Sequence, residues 1–337
     1  MTVEDCHEVP PTEATTDVVG TSPGWWTVAH SEELYDKPVA TRLGAYELVA
    51  FRDAGGIPRV LLDVCPHRRV PLSLGRVNEH GALQCGYHGW CFDGASGQLT
   101  KIPNYRAGQR LPPRVKVGSW PTEERYGLVQ VWTGPDEPGA PVSVKAAIAC
   151  ARATGTAELP ISHSDCVSRL LSDPVALIFG VAIQPRGAEK LETTTSVRLT
   201  RRIARAHGAL GRVLFGPKGT EFDLTSETSA TTGLTEISVV ALDEVTVLQL
   251  VVAPTPIAGD RTELRWRAMC RGDMLVRTRN NALKALTTKA ASATSRRCKT
   301  AAGTATSEAA FGAWRGLGAT SSPALPAVPE LASTNAE

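Results

Sequence analysis

The apolar positions of this chain follow two rhythms. From residue 23 to 133 they form short runs rich in β-branched and aromatic residues, "YELVAF" (46–51), "RVLLDV" (59–64) and "YGLVQVW" (126–132), cut by Gly, Pro and Asn turns. That is the pattern of a small all-β unit. The stretch "TGPDEPGAPVS" (133–143) stacks Gly and Pro behind the last run and marks a boundary. Beyond it come a short apolar run at 157–162 and a helical pattern near 164–172. Long Thr- and Val-rich runs follow: "LETTTSVRLTRRIARA" (191–206), "TEFDLTSETSATT" (220–232), "LTEISVVAL" (234–242), "VTVLQLVVAP" (245–254) and "TELRWRAM" (262–269). They predict a broad antiparallel sheet with one face buried. Between 274 and 315 the chain turns to Ala, Lys, Leu and Arg without Pro, which predicts a terminal helix or helix pair. The expected class is α+β, divided into a flexible leader (1–22), a β domain (23–135), a second domain (140–318) and a flexible tail (319–337), with no internal repeat.

Length and composition sharpen this only slightly. The 337 residues are enough for two cores. A net charge of +2 argues for no polyanionic partner, so nucleic acid is not expected. The first residues, "MTVEDCHEVPPTEATTD", carry acids where a secretory signal carries Lys or Arg. The most apolar region, 231–258, is broken by Glu236, Asp243 and Glu244, so no membrane span is expected. The expected location is the cytoplasm.

Candidate chemistry concentrates in one stretch, "VCPHRRVPLSLGRVNEHGALQCGYHGWCFDG" (64–94), which holds three of the chain's seven histidines. One residue separates Cys65 from His67, two separate Cys85 from His88, and seventeen lie between the pairs. Two thiolates and two imidazoles fit either a zinc ion or a [2Fe-2S] cluster whose histidines serve one iron, and spacing alone leaves both open. Cys91 reads as a packed thiol and His80 as a solvated turn residue. Cys6, Cys150, Cys166, Cys270 and Cys298 read as free, mostly buried thiols.

The context of these residues resembles the N-terminal domain of Rieske non-haem iron oxygenases. The likeness runs through "GWWTVAHSEEL" (24–34), "CPHR", "PLSLGRV" (71–77), "CGYHGW", "FDGASGQLTKIP" (92–103) and "ERYGLVQVW" (124–132), and continues more weakly to about 318. It implies a Rieske [2Fe-2S] domain followed by a helix-grip, START-like domain of the oxygenase alpha-subunit kind. It implies that Cys65 and Cys85 hold the inner iron and that His67 and His88 hold the outer one. Gly86 and Gly89 would let amides approach the sulfurs, and Tyr87 and Trp90 would shield them.

In the same family the second domain carries a mononuclear iron on two histidines and a carboxylate. The corresponding stretch here is "VSRLLSDPVALIFGVAI" (167–183). Asp173 keeps the family's bridging acid. Ala176 stands at the first histidine position, Val181 or Gly180 at the second, and Asn280 and Asn281 where the helix acid belongs. The second domain offers His163, beside Asp165 and read as a local hydrogen bond at a strand end, and His207, beside Arg198, Arg201, Arg202 and Arg205 on what reads as a solvated strand face. No mononuclear iron is expected on this chain.

The resemblance thus implies the cluster-bearing component of an oxygenase system. It would be an auxiliary, electron-transferring subunit fed by a ferredoxin or flavin reductase and assembled with a catalytic paralogue in a mixed trimer or hexamer ring. On this reading the lone chain is inactive. The alternatives are a self-sufficient hydroxylase or demethylase with unusual iron ligands, and a non-catalytic scaffold. The substrate is not legible.

Overall fold

The computed structural model describes residues 22–35, 37–106, 108–140, 153–172, 177, 183–194, 196–206, 221–241, 246–258 and 260–270. In the N-terminal part the strands are β1 (Trp25–His30), β2 (Val39–Leu43), β3 (Tyr46–Arg52), β4 (Pro58–Leu62), β5 (Arg76–Val77), β6 (Leu83–Gln84), β7 (Cys91–Phe92), β8 (Leu99–Lys101), β9 (Ser119–Trp120), β10 (Thr122–Arg125) and β11 (Leu128–Trp132). They form three antiparallel sheets, ordered β1-β11-β10, β2-β3-β4-β9 and β5-β6-β7-β8.

The middle sheet explains why the run "LVAF" (48–51) of β3 is continuously apolar rather than alternating. Leu48 and Ala50 of β3 and Val60 of β4 face one core with Trp26, Val28, Val129 and Val131. Val49, Phe51 and Leu61 face another with Leu72, Leu83, Trp90 and Phe92. A strand buried on both faces has no polar side to alternate with.

The remaining elements are β12 (Ala153–Leu159), α1 (His163–Ser172), β13 (Ile183–Glu192), β14 (Ser196–Ala206), β15 (Phe222–Ser229), β16 (Thr235–Ala241), β17 (Thr246–Ala258) and β18 (Arg261–Cys270). All seven strands pair antiparallel in the order β12-β18-β17-β16-β15-β14-β13. Helix α1 starts where the Ser162 hydroxyl accepts the Asp165 N–H at 3.1 Å, a side-chain N-cap. Its Cys166 and Leu170, one turn apart, pack on Leu224, Ile237, Leu250 and Trp266 of the sheet.

Three expectations need correction. "LETTTSVRLTRRIARA" is not one strand but the end of β13, a turn and β14; Thr193 and Ser196 close that turn with mutual hydrogen bonds and need no Gly or Pro. Arg201 is not on a solvated face: it is buried, and one Nη donates to the carbonyls of Leu171 (3.0 Å) and Ser172 at the C-terminal end of α1. Finally, the large sheet is buried on both faces along β17 and β18. Val251 and Ala253 turn away from α1 and meet Leu128 of β11 and Leu234.

That second face forms a largely polar seam with the N-terminal part. Thr255 donates to the Thr27 carbonyl at 2.6 Å, Gly44 N–H to Pro256 O at 2.7 Å, and Arg265 to the Thr41 hydroxyl at 3.2 Å. Arg267 reaches both oxygens of Glu32, at 2.8 and 2.6 Å, and the Gly127 carbonyl at 3.0 Å. From one end, the layers run β5–β8, the middle sheet, β1-β11-β10, the large sheet and α1. Among the described residues no helix is long and apolar enough to cross a membrane. The segment 274–315, where a terminal helix was expected, lies outside the described residues, as do both predicted termini.

Candidate metal centre

Cys65 and His67 sit on the loop between β4 and β5, Cys85 and His88 on the loop between β6 and β7. The two loops share one backbone shape. Cys65 N–H donates to Val70 O at 2.9 Å and Arg69 N–H to Cys65 O at 2.8 Å; Cys85 N–H donates to Trp90 O at 2.8 Å and Gly89 N–H to Cys85 O at 3.1 Å. In each, the fourth residue after the cysteine is left-handed: Gly89 has φ +69° and Arg69 has φ +56°. Glycine takes that conformation freely, whereas an arginine there is strained. A side chain at 89 would also strike Pro103, 2.9 Å from an added Cβ. Gly86 is needed for proximity, since its Cβ would lie 2.8 Å from the Leu74 carbonyl oxygen of the other loop.

The structure brings Cys65 to Cys85 and His67 to His88. Cys65 and Cys85 are buried free thiols, hydrogen-bonded to each other. Burial, reinforced by Cys85, pushes the Cys65 thiol up to about 12, against backbone N–H groups of His67 and Arg68 that donate to its sulfur. Such thiols become thiolate ligands only beside a cation that replaces their protons. The imidazoles of His67 and His88 lie with centroids 4.7 Å apart. Trp90 stacks on His67 at 4.6 Å and 3°, and Tyr87 leans on His88 at 3.9 Å. Burial, then the neighbouring His88 and Arg68, hold His67 below its ordinary value, so the ring is neutral at pH 7. Its Nδ1 is buried without a hydrogen-bond partner.

The donors therefore come as a thiol pair and an imidazole pair. Among the described residues no three His, Cys, Asp or Glu side chains close round one point as a single ion requires. This set fits a two-metal cluster in which each iron takes two protein ligands. The expected shielding by Trp90 is present, as it is 8% exposed, but Tyr87 is 64% exposed and covers His88 rather than a sulfur.

Two features escaped the sequence. The amides directed at the Cys65 sulfur belong to His67 and Arg68. Asp63, buried two residues before Cys65, accepts both the N–H and the hydroxyl of Ser73 at 2.6 Å each.

The other candidates stay apart from this centre. The Cys91 sulfur accepts from Asn78 and donates to the Gly89 carbonyl, and His80 is exposed beside Glu79. His163 opens α1 instead of ending a strand, and its Nε2 bonds the Thr232 carbonyl at 3.0 Å rather than Asp165. Asp173, Ala176, Gly180, Val181, His207, Asn280 and Asn281 lie outside the described residues.

Comparison with known proteins agrees with this geometry. A family profile described as the Rieske [2Fe-2S] domain matches residues 24–121. The tert-butanol monooxygenase / tert-amyl alcohol desaturase oxygenase subunit of Aquincola tertiaricarbonis is 38% identical over 143 residues, 40% of this chain and 30% of that protein. The dicamba O-demethylase oxygenase component of Stenotrophomonas maltophilia is 33% identical over 199 residues, 58% of this chain and 56% of that protein. These matches thus span between 30% and 56% of the relatives' lengths. The crystal structure of dicamba monooxygenase bound to dicamba superposes with a TM-score of 0.62 at 22% identity, covering 87% of this chain and 95% of that one, which establishes a shared fold.

Proposed function

We propose that this chain, whose residues 24–121 are a Rieske [2Fe-2S] domain and whose relatives are oxygenase components, serves as the cluster-bearing, electron-transferring subunit of a non-haem iron oxygenase system. Cys65 and Cys85 would hold the inner iron, His67 and His88 the outer. When bound, the cluster supplies a one-electron acceptor and donor whose potential is raised by its two neutral imidazoles. The observation that carries the reading is the pair of like-shaped loops presenting a thiol pair inside and an imidazole pair outside.

The rest of the chain argues for export of the electron. The second domain, read as a helix-grip domain, has Ala176, Val181, Asn280 and Asn281 where iron ligands belong. An aliphatic side chain has no lone pair to offer, and an amide is a poor substitute for a carboxylate. Within the chain the cluster loops and α1 also lie at opposite ends of the layer stack. Electrons from a ferredoxin or flavin reductase would therefore leave through the exposed His88 edge to a catalytic paralogue in a mixed trimeric or hexameric ring, with Asp173 kept as a contact for the neighbour's cluster.

A second reading, a self-sufficient oxygenase, is favoured by the 33% identity to an oxygenase component that extends beyond the Rieske domain. Metal analysis separates the two. The purified full chain should hold about two irons and two sulfides, show the electron-spin signal of a cluster with two imidazole ligands, and oxidise no substrate with reductase alone. A third iron with turnover overturns the auxiliary role, and a colourless zinc protein overturns the cluster.

A further inference from the structure

We infer that the cluster end of this chain is a docking surface for a small acidic one-electron carrier protein, which delivers its electron at an apolar spot flanked by arginines beside His88. The inference rests on the cluster reading above and names the surface that its electron donor uses. The chain's net charge of +2 conceals where its charges stand. Residues 64–118 hold six Arg and two Lys against two acids, a local +6, and all eight cations are exposed. The two acids are engaged elsewhere: Asp93 accepts the N–H and the hydroxyl of Ser96, and Glu79 lies beside His80. Among the described residues none of the eight cations forms an ion pair.

These charges gather on the segments that build the ligand loops. Arg68 and Arg69 belong to the first loop, and Arg76 donates to the side chain of Gln84, next to Cys85, at 2.9 Å. Arg106, Arg110 and Arg114 ride on the segment packed against the second loop. Its Pro103 lies 2.9 Å from a Cβ added at Gly89, and its Tyr105 and Leu111 join the core that holds both cysteines. The same end carries Leu74 and Tyr87, 76% and 64% exposed. Their backbones adjoin, since a Cβ on Gly86 would meet the Leu74 carbonyl oxygen at 2.8 Å. Tyr87 in turn leans on the exposed His88 at 3.9 Å. An exposed aromatic and a leucine among unpaired arginines have the composition of a protein interface rather than of a solvated face. The arginines steer an acidic surface into contact, and the small apolar spot holds it only briefly. A carrier has to part quickly, because the acceptor needs the same edge. The carrier loses one electron and the cluster gains it, with no bond made or broken. A polyanion such as nucleic acid would answer the same charges, but it has no electron to give at the imidazole edge.

The test follows reduction of the cluster by stopped-flow absorbance in the full cluster-loaded chain. Two reductants are compared: a reduced plant-type [2Fe-2S] ferredoxin, which is small and acidic, and photoreduced deazariboflavin, which is small and neutral. With the wild-type chain the ferredoxin rate should fall steeply as salt is added. Arg110→Glu combined with Arg114→Glu should slow the ferredoxin reaction about tenfold at low ionic strength and flatten its salt dependence. The same pair should leave the deazariboflavin rate unchanged. Arg110→Gln combined with Arg114→Gln, which removes the charge without reversing it, should give an intermediate loss. An unchanged ferredoxin rate overturns the inference, whether or not the variants lose affinity for duplex DNA. Equal losses with both reductants also overturn it, because the arginines would then act on the cluster and not on docking. A wild-type chain without a cluster signal would instead refute the cluster reading itself.

Discussion

The ion pair across the seam should be markedly asymmetric. Arg267 and Glu32 meet through two hydrogen bonds, yet the arginine side chain is 7% exposed and the glutamate 40%. Replacing Glu32 by Ala leaves a guanidinium in the seam with the Gly127 carbonyl as its other bond. Stranding a buried charge costs about 3–5 kcal/mol. Replacing Arg267 by Met leaves a carboxylate that water can reach and a stem of similar length, so the loss is nearer to a charged hydrogen bond, about 1.5–2 kcal/mol. The gap of about 2 kcal/mol corresponds to roughly a 30-fold difference in seam opening. Gly44 N–H donates to Pro256 O at 2.7 Å across the seam, so native-state hydrogen exchange of the Gly44 amide reads the opening directly. Glu32→Ala should expose that amide far more than Arg267→Met. Equal effects, or a larger one from Arg267→Met, would show that burial of the arginine does not govern the pair.

Three further outcomes follow from the geometry. His30 is buried with Nε2 on the Gly155 carbonyl at 3.2 Å, and its pKa lies below the ordinary 6.5, mainly through burial and secondarily through Arg265, against the pull of Glu33 and Glu32. The open state then binds the proton more readily, so seam protection should be full above about 6.5 and fall as pH drops below it; His30→Gln should flatten this step in pH-dependent exchange. Gly89→Ala forces a side chain into φ +69° and against Pro103, costing about 1–2 kcal/mol before the contact is counted, and should lower iron and sulfide per chain on purification. Arg201→Met removes the donor to the carbonyls ending α1, and should speed exchange in the last turn of α1 while leaving the cluster spectrum unchanged.

The cluster loops were legible because their information is local. A cysteine and a histidine within four residues, between short apolar runs, specify a loop whatever packs around it. The strands of the large sheet were legible for the same reason, since β15 alternates Phe222, Leu224, Ser226 and Thr228 inward over its length. Arg201 was not, because a guanidinium on an inward position reads as an exposed one until the end of α1 supplies its acceptors. The polar seam was equally hidden: Arg265 and Arg267 alternate with Leu264, Trp266 and Ala268, the ordinary signature of a sheet with one wet face. Nor does a left-handed Arg69 announce itself, because the rule that assigns that conformation looks for glycine.

Strand β18 shows how tightly the two halves of the molecule are tied. On one side Leu264, Trp266 and Ala268 enter the core beneath α1; on the other Arg265 and Arg267 enter the seam. A slip of one residue would drive two guanidinium groups into an apolar interior and turn an indole toward Glu32 and Thr41, so the charges fix the register as firmly as the apolar side chains do. Gly155 of β12, paired with Trp266, reinforces this, because an added Cβ there would lie 2.5 Å from the indole while its carbonyl holds His30. The indole can lie flat on β12 only because position 155 has no side chain. The same residue thus seats the core of the large sheet and anchors the N-terminal sheets to it. The orientation of the cluster-bearing end relative to α1 is therefore set by the packing of the sheet itself rather than by a separate hinge.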